Sequence, residues 1–291
     1  MQVAGDPRAR GPAVVLEAGI AATSLSWALV QPIVADFARV ASYDRAGFGW
    51  SDDAVSPGTA LSAASDLRLL LERADLPGPI ILVGHSFGGL IARVFQQRYP
   101  ECVAGMVLVD PVARAEWRAP SEQRRQMLAR GVALSRRGAL LARIGVVGFA
   151  LRMLTGGSPR IPGLLARASA GRAAEVTDRL VGQIRKMPRE LWPVIAAHWS
   201  EARSFRTMAG YLENLPLSAG QLDEGRGLDD LPAVILSAAD ASAEAMREHE
   251  NEARLSTRGE HLVVGGSAHW INLDAPDTIA AAVRRVMAES A

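Results

Sequence analysis

The feature that most restricts this chain is the stretch IILVGHSFGGL at residues 80–90. Ile80, Ile81, Leu82 and Val83 form a short β-rich apolar run after Pro77-Gly78-Pro79, the pattern of a buried strand. From Leu90 the pattern changes. Leu90, Ile91, Val94 and Phe95 share one face of a helix, Arg93, Gln96, Gln97 and Arg98 take the other, and Tyr99-Pro100 ends the segment. A serine, Ser86, therefore falls in an abrupt strand-to-helix turn, flanked by Gly84 and Gly88 in a G-x-S-x-G arrangement. Such a turn forces strained dihedrals on its central residue and leaves no room for Cβ atoms beside it, which accounts for the glycines. It also lifts the serine hydroxyl clear of the sheet and leaves the Phe87 N–H at a helix N-terminus, where unpaired donors favour an anion. A nucleophile and one oxyanion donor are the expected product of this turn.

The flanking sequence sets the fold class. Strand-like runs at 13–17, 39–43, 80–83 and 103–109 alternate with helical patterns, including one at 24–37 and one carrying Leu67, Leu70, Leu71 and Ala74. After a long interruption the alternation resumes with strands at 233–237 and 260–264 and helices at 243–255 and around Ile279, Val283, Val286 and Met287. This rhythm predicts an α/β fold with a mostly parallel sheet covered by helices on both faces. Between residues 112 and 226 no strand pattern occurs, and that block holds 19 basic and 9 acidic residues against 13 and 22 in the remainder. The shift predicts a helical cap inserted at 112–226 into a core made of 1–111 and 227–291. The excess arginine there is expected to form a solvated helical exterior.

Whole-chain properties exclude several classes. With a formal charge of +1 over 291 residues there is no electrostatic case for a nucleic-acid partner. The single cysteine, Cys102, rules out an internal disulfide or a cysteine-rich metal site and is expected to be a small buried apolar side chain. Residues 1–10 lack the apolar stretch of a signal peptide, and the longest central apolar run, 144–151, is too short to span a bilayer. A cytoplasmic protein without stable membrane insertion is expected, with no metal and no cofactor.

Beyond the serine turn, the stretches VVLEAGIAATSLSW, SYDRAGFGWSD, GMVLVDP, AVILSAAD and GGSAHWINLDAP follow one another in an order that resembles the α/β-hydrolase fold, in its serine-nucleophile branch with a helical cap. The resemblance implies a cofactor-independent serine hydrolase acting on a carboxylic ester or similar acyl bond of a small-molecule substrate. It implies His269 as the base, in the small-residue loop after the last strand, and Asp240, just past the strand at 233–237, as the acid, giving the chain order Ser86, Asp240, His269. Asp110, at the end of the strand at 103–109, is the alternative acid, with an Asp-Pro strand cap as its expected role. The oxyanion donors implied are the N–H groups of Phe87 and Ile20, although Ala18-Gly19 stands where many relatives carry His-Gly. A serine at position 86 does not fit the epoxide hydrolase and haloalkane dehalogenase branches, which need a carboxylate there. The same residues leave open acyl transfer, perhydrolysis, hydroxynitrile cleavage, or a ligand-sensing role without turnover.

Among the other histidines, His85 is expected to pack under the turn and His261 to be structural, while His198 and His249, in helical stretches, are expected to face solvent or partners. Asp44 and Arg45 are expected to pair and pin their glycine-rich turn. Trp27, Trp50 and Trp270 are candidates for either pocket lining or core.

Overall fold

In the computed structural model, the structure describes residues 1–9, 11–76, 78–155, 185–223 and 225–290. Seven strands form one sheet in the order β1-β3-β2-β4-β5-β6-β7, comprising β1 (Gln2–Ala4), β2 (Val14–Glu17), β3 (Val40–Ser42), β4 (Ile80–His85), β5 (Val103–Val109), β6 (Ala233–Ala238) and β7 (Gly259–Val264). All neighbouring pairs are parallel except β1 with β3.

Strand periodicity divides the core between the two faces. Ile80, Leu82, Met106, Leu108 and Ile235 point to the side covered by α2 (Ala60–Arg73) and α3 (Phe87–Arg98), where they meet Leu67, Leu71, Ile91 and Phe95. Ile81, Val83, Val107, Val109, Val234 and Leu236 point the other way, onto Val30 and Val34 of α1 (Val30–Ala35) and onto Ile279, Val283 and Val286 of the last helix, Pro276–Glu289. The helix expected at 24–37 is divided into a 3₁₀ turn, Ser24–Trp27, and α1. The stretch "MQVAG" contributes the antiparallel strand β1.

Between β5 and β6 the described residues carry helices and no strand. They include α4 (Arg114–Arg118), α5 (Glu122–Arg143), α6 (Val146–Thr155) and the helices Trp192–Trp199, Ala202–Glu213 and Leu215–Ala219. Helix Ala202–Glu213 packs along α5. Helix Trp192–Trp199 brings Ile195 against Leu25 and Leu273, beside Trp199 and Trp270, so it reaches the loop that follows β7. Among the described residues no helix is long and apolar enough to cross a membrane.

The central strand β4 is buried along its whole length, whereas the edge strand β7 is largely open. Leu82 of β4 is wholly buried, so Leu82→Ala should cost about 2–5 kcal/mol through lost contacts and a residual cavity. Leu262→Ala on β7, where the side chain is 38% exposed, should cost roughly 0.5 kcal/mol or less. Urea unfolding midpoints of the two variants check this, and equal losses would contradict the described core.

Candidate active site

The turn between β4 and α3 is built as its residue types require. Ser86 has φ 54° and ψ −119°, in the left-handed half of conformational space. A Cβ on Gly84 would lie 2.4 Å from the Gly88 carbonyl oxygen, and one on Gly88 would lie 2.4 Å from that of Glu17 and 2.7 Å from that of Ala18. Neither position tolerates a side chain without moving backbone. The strained residue is tied down by its own main chain. Ser86 N–H donates to Val109 O at 2.9 Å, and Ser86 O accepts from Gly89 N–H at 2.9 Å and Val112 N–H at 3.2 Å.

His269 stands over this turn, in the loop after β7. Its Nε2 lies 3.0 Å from Ser86 Oγ and its Nδ1 lies 2.6 Å from Asp110 Oδ2. A carboxylate accepts from Nδ1–H, which leaves Nε2 as the acceptor for the serine hydroxyl. Asp110, at the end of β5 with φ 41°, also accepts Ala238 N–H on Oδ1 at 3.0 Å. Burial pushes its carboxyl up, but the His269 and Ala238 hydrogen bonds outweigh that and hold it below the usual carboxylate range.

The acid facing His269 is therefore Asp110, and the expectation of Asp240 in that place is corrected. Asp240 lies exposed in the turn after β6. That turn closes through Ala241 N–H to Ala238 O at 3.2 Å and is joined to the next loop by Ala239 N–H to Ser267 O at 3.1 Å. What β6 lends to the site is the Ala238 amide. The positive φ of Asp110 swings its carboxylate up between that amide and the imidazole, a geometry that an Asp-Pro strand ending does not reveal in sequence.

His85 does pack under the turn, and it does more. Its Nε2–H donates to the His269 carbonyl at 2.8 Å, which ties down the backbone that carries the His269 imidazole. Burial, reinforced by the nearby His269, lowers its pKa to about 3, so it stays neutral. Trp270 lies against the same ring at 5.4 Å, whereas Trp27 belongs to the core and Trp50 is 59% exposed. Two further expectations are corrected. His198 is buried against Trp50, and His249 is buried, bonded to Ser237 Oγ at 2.6 Å and to Pro111 O at 2.8 Å. His261 bonds the same Ser237 hydroxyl at 2.7 Å.

The segment 17–20 lies beside the turn. Among the described residues neither the Ile20 N–H nor the Phe87 N–H has an acceptor, so both remain open to a ligand. Asp44 and Arg45 do not pair with each other. Asp44 accepts Ser24 N–H at 2.6 Å and Trp50 N–H at 3.0 Å, while Arg45 turns inward to Glu17, whose carboxylate also receives the Tyr43 hydroxyl. Successive residues leaving a strand end point opposite ways, which separates the two side chains. A cleft of about 310 Å³ opens elsewhere, lined in part by Asp53, Ser62, Arg206, Thr207 and Tyr211. Among the described residues no group of three or more side chains is arranged to hold a metal ion.

A strained serine turn on a mostly parallel sheet, with an imidazole and a carboxylate delivered from later strand ends, defines a class of fold, and comparison places the chain in it. Residues 14–282 match the alpha/beta hydrolase family, and the chain belongs to that family. An AB hydrolase superfamily protein of Gibberella zeae is 40% identical over 116 residues, covering 38% of this chain and 36% of that protein. The uncharacterized protein YqjL of Bacillus subtilis is 34% identical over 101 residues, covering 35% and 40%. The matches thus span well under half the length of these curated relatives. Among solved structures, a thermophilic esterase from Thermogutta terrifontis superposes with a TM-score of 0.65 at 22% identity, over 99% of this chain and 92% of the other. A putative epoxide hydrolase from Pseudomonas aeruginosa superposes with a TM-score of 0.69 at 18% identity, over 99% and 91%. At these identities the likeness is one of fold.

The depressed Asp110 carboxyl carries a stability signature. A group whose folded pKa lies below its unfolded value of about 3.9 stabilises the fold above that value and loses the contribution as pH falls through the folded pKa. Asp110→Asn should therefore be less stable than the parent by about 1–3 kcal/mol at pH 5, with the gap narrowing toward pH 3. Urea denaturation of both proteins at the two pH values measures it, and a constant gap would contradict the assigned interactions.

Proposed function

We propose that the chain is a cofactor-independent serine hydrolase that cleaves a carboxylic ester or similar acyl bond through an acyl-enzyme. The single observation that carries this reading is the continuous relay from Ser86 Oγ to His269 Nε2 at 3.0 Å and from His269 Nδ1 to Asp110 at 2.6 Å. The likeness to an esterase is consistent with it, and a serine at position 86 sets the chain apart from chemistry that begins with a carboxylate nucleophile.

In this reading Ser86 Oγ attacks the acyl carbon while His269 Nε2 accepts the hydroxyl proton. The carbonyl oxygen takes up the displaced electron pair and is met by the N–H groups of Phe87 and Ile20. Collapse of the tetrahedral species breaks the bond to the leaving oxygen, which departs with the proton from His269. Water then attacks the acyl-Ser86 ester, its proton passes to His269, and a second collapse releases the acid and restores the serine hydroxyl. Asp110 holds the imidazole in the tautomer this needs and stabilises the imidazolium between steps. His85, neutral throughout, holds the loop that presents His269. The helical insertion, which reaches Trp270 through helix Trp192–Trp199, forms the roof over the substrate.

Ser86→Ala should lose both ester turnover and fluorophosphonate labelling with its melting temperature preserved. Asp110→Asn should lower kcat by about 10⁴ through the tautomer, while Asp240→Asn stays near the parent rate. Steady-state kinetics on short-chain aryl esters decide this. Labelling that survives in Ser86→Ala, or a crippled Asp240→Asn beside a normal Asp110→Asn, would overturn the reading.

A further inference from the structure

Arg45 is buried, and its guanidinium is spent on the backbone of one loop. One terminal nitrogen donates to the Glu17 carboxylate and to Ala18 O at 2.6 Å, and the other donates to Gly19 O and to Ile20 O at 3.2 Å. Three successive carbonyls are thus drawn to one side by a single rigid fork. In a trans peptide the C=O of one residue and the N–H of the next point in opposite directions. Holding Gly19 O toward Arg45 therefore aims the Ile20 N–H away from Arg45. The serine turn is the neighbour of this peptide, since a Cβ on Gly19 would sit 3.7 Å from Ser86 Cβ and 3.2 Å from His85 Nδ1.

We infer that Arg45 is a positioning residue, which sets the Ile20 N–H as an oxyanion donor by fixing the carbonyls of residues 18–20. The inference rests on the serine-hydrolase reading and extends it to a residue that touches no substrate. Its supports are themselves buried. Tyr43 hydroxyl and Arg45 share Glu17, and the Arg45 guanidinium lies 5.2 Å from the Tyr211 ring and 5.8 Å from the Phe48 ring. Tyr211 belongs to helix Ala202–Glu213 of the insertion, so the insertion covers the same guanidinium that orders the loop. A buried ion pair is seldom the most stabilising solution for a core, because desolvation offsets its attraction. Here its fork delivers direction to a peptide plane, which an apolar side chain of equal size cannot do.

The test compares the parent, Ser86→Ala, Arg45→Lys and the double variant Glu17→Gln/Arg45→Met, which removes both buried charges together. Melting temperature, fluorophosphonate labelling rate, kcat and KM are measured for each. The double variant should fold, label about 100-fold more slowly and lose a similar factor in kcat, with KM little changed, as expected when one oxyanion donor is misaimed. Arg45→Lys keeps a charge for Glu17 but lacks the fork, and should fall about tenfold in both rates. If the double variant does not fold, Arg45→Lys decides alone. A folded variant that labels and turns over within threefold of the parent overturns the role of Arg45 and leaves the serine reading standing. A parent that is not labelled, or a Ser86→Ala that still is, overturns the serine reading itself.

Discussion

The close contact between the first turn of α3 and the segment 17–18 governs the rest of the site. Gly88 lies so near the carbonyls of Glu17 and Ala18 that any Cβ would collide with them. That contact seats the turn of Ser86 directly against the segment that leads to Ile20. The strain at Ser86 is sustained because both of its main-chain polar groups are engaged, with β5 accepting from its N–H and the residues after it donating to its carbonyl. Buried apolar side chains on both faces of β4 keep the strand from relaxing away.

Two buried polar networks meet at this turn from opposite sides. On one side Asp110 and His85 each hold a part of His269, the first its imidazole and the second its carbonyl. On the other, Glu17 and Arg45 hold the loop of Ile20. Each network places a charged or polar group where burial alone would be costly and bonds it to backbone carbonyls or amides, although Arg45 Nε and His85 Nδ1 have no partner among the described residues. In the proposed serine-hydrolase reading, imidazole and amides are thereby held before substrate binds, so little reorganisation is needed as charge develops.

Much of the fold was legible because it depends on local rules. Short continuous apolar runs marked β4, β5 and β6, a period-3.6 apolar pattern marked α2, and the glycine spacing around Ser86 marked the turn. Between β5 and β6 the described residues are helical, in keeping with the lack of a strand pattern there, and residues 156–184 of that block lie outside those described. What escaped depends on contacts between distant segments. Asp110 and Asp240 both follow a strand end, and the choice between them is made by the positive φ of Asp110 and by the Ala238 amide, neither of which has a sequence pattern. His249 looks like a helix-surface residue until Ser237 and Pro111 are seen beside it. Arg45 looks like the partner of Asp44, yet Glu17, 28 residues earlier, claims it. Glu17 was the available signal, a carboxylate at the end of an otherwise apolar buried strand, which needs a cation.

The central claim is that Ser86 attacks an acyl centre whose oxygen is received by the Ile20 and Phe87 amides. A crystal structure of the protein after reaction with a fluorophosphonate tests it most directly. The account predicts a covalent bond from Ser86 Oγ to phosphorus, with the phosphoryl oxygen within about 2.7–3.1 Å of both amide nitrogens. An adduct on another residue, or one on Ser86 whose phosphoryl oxygen faces away from both amides, would contradict it.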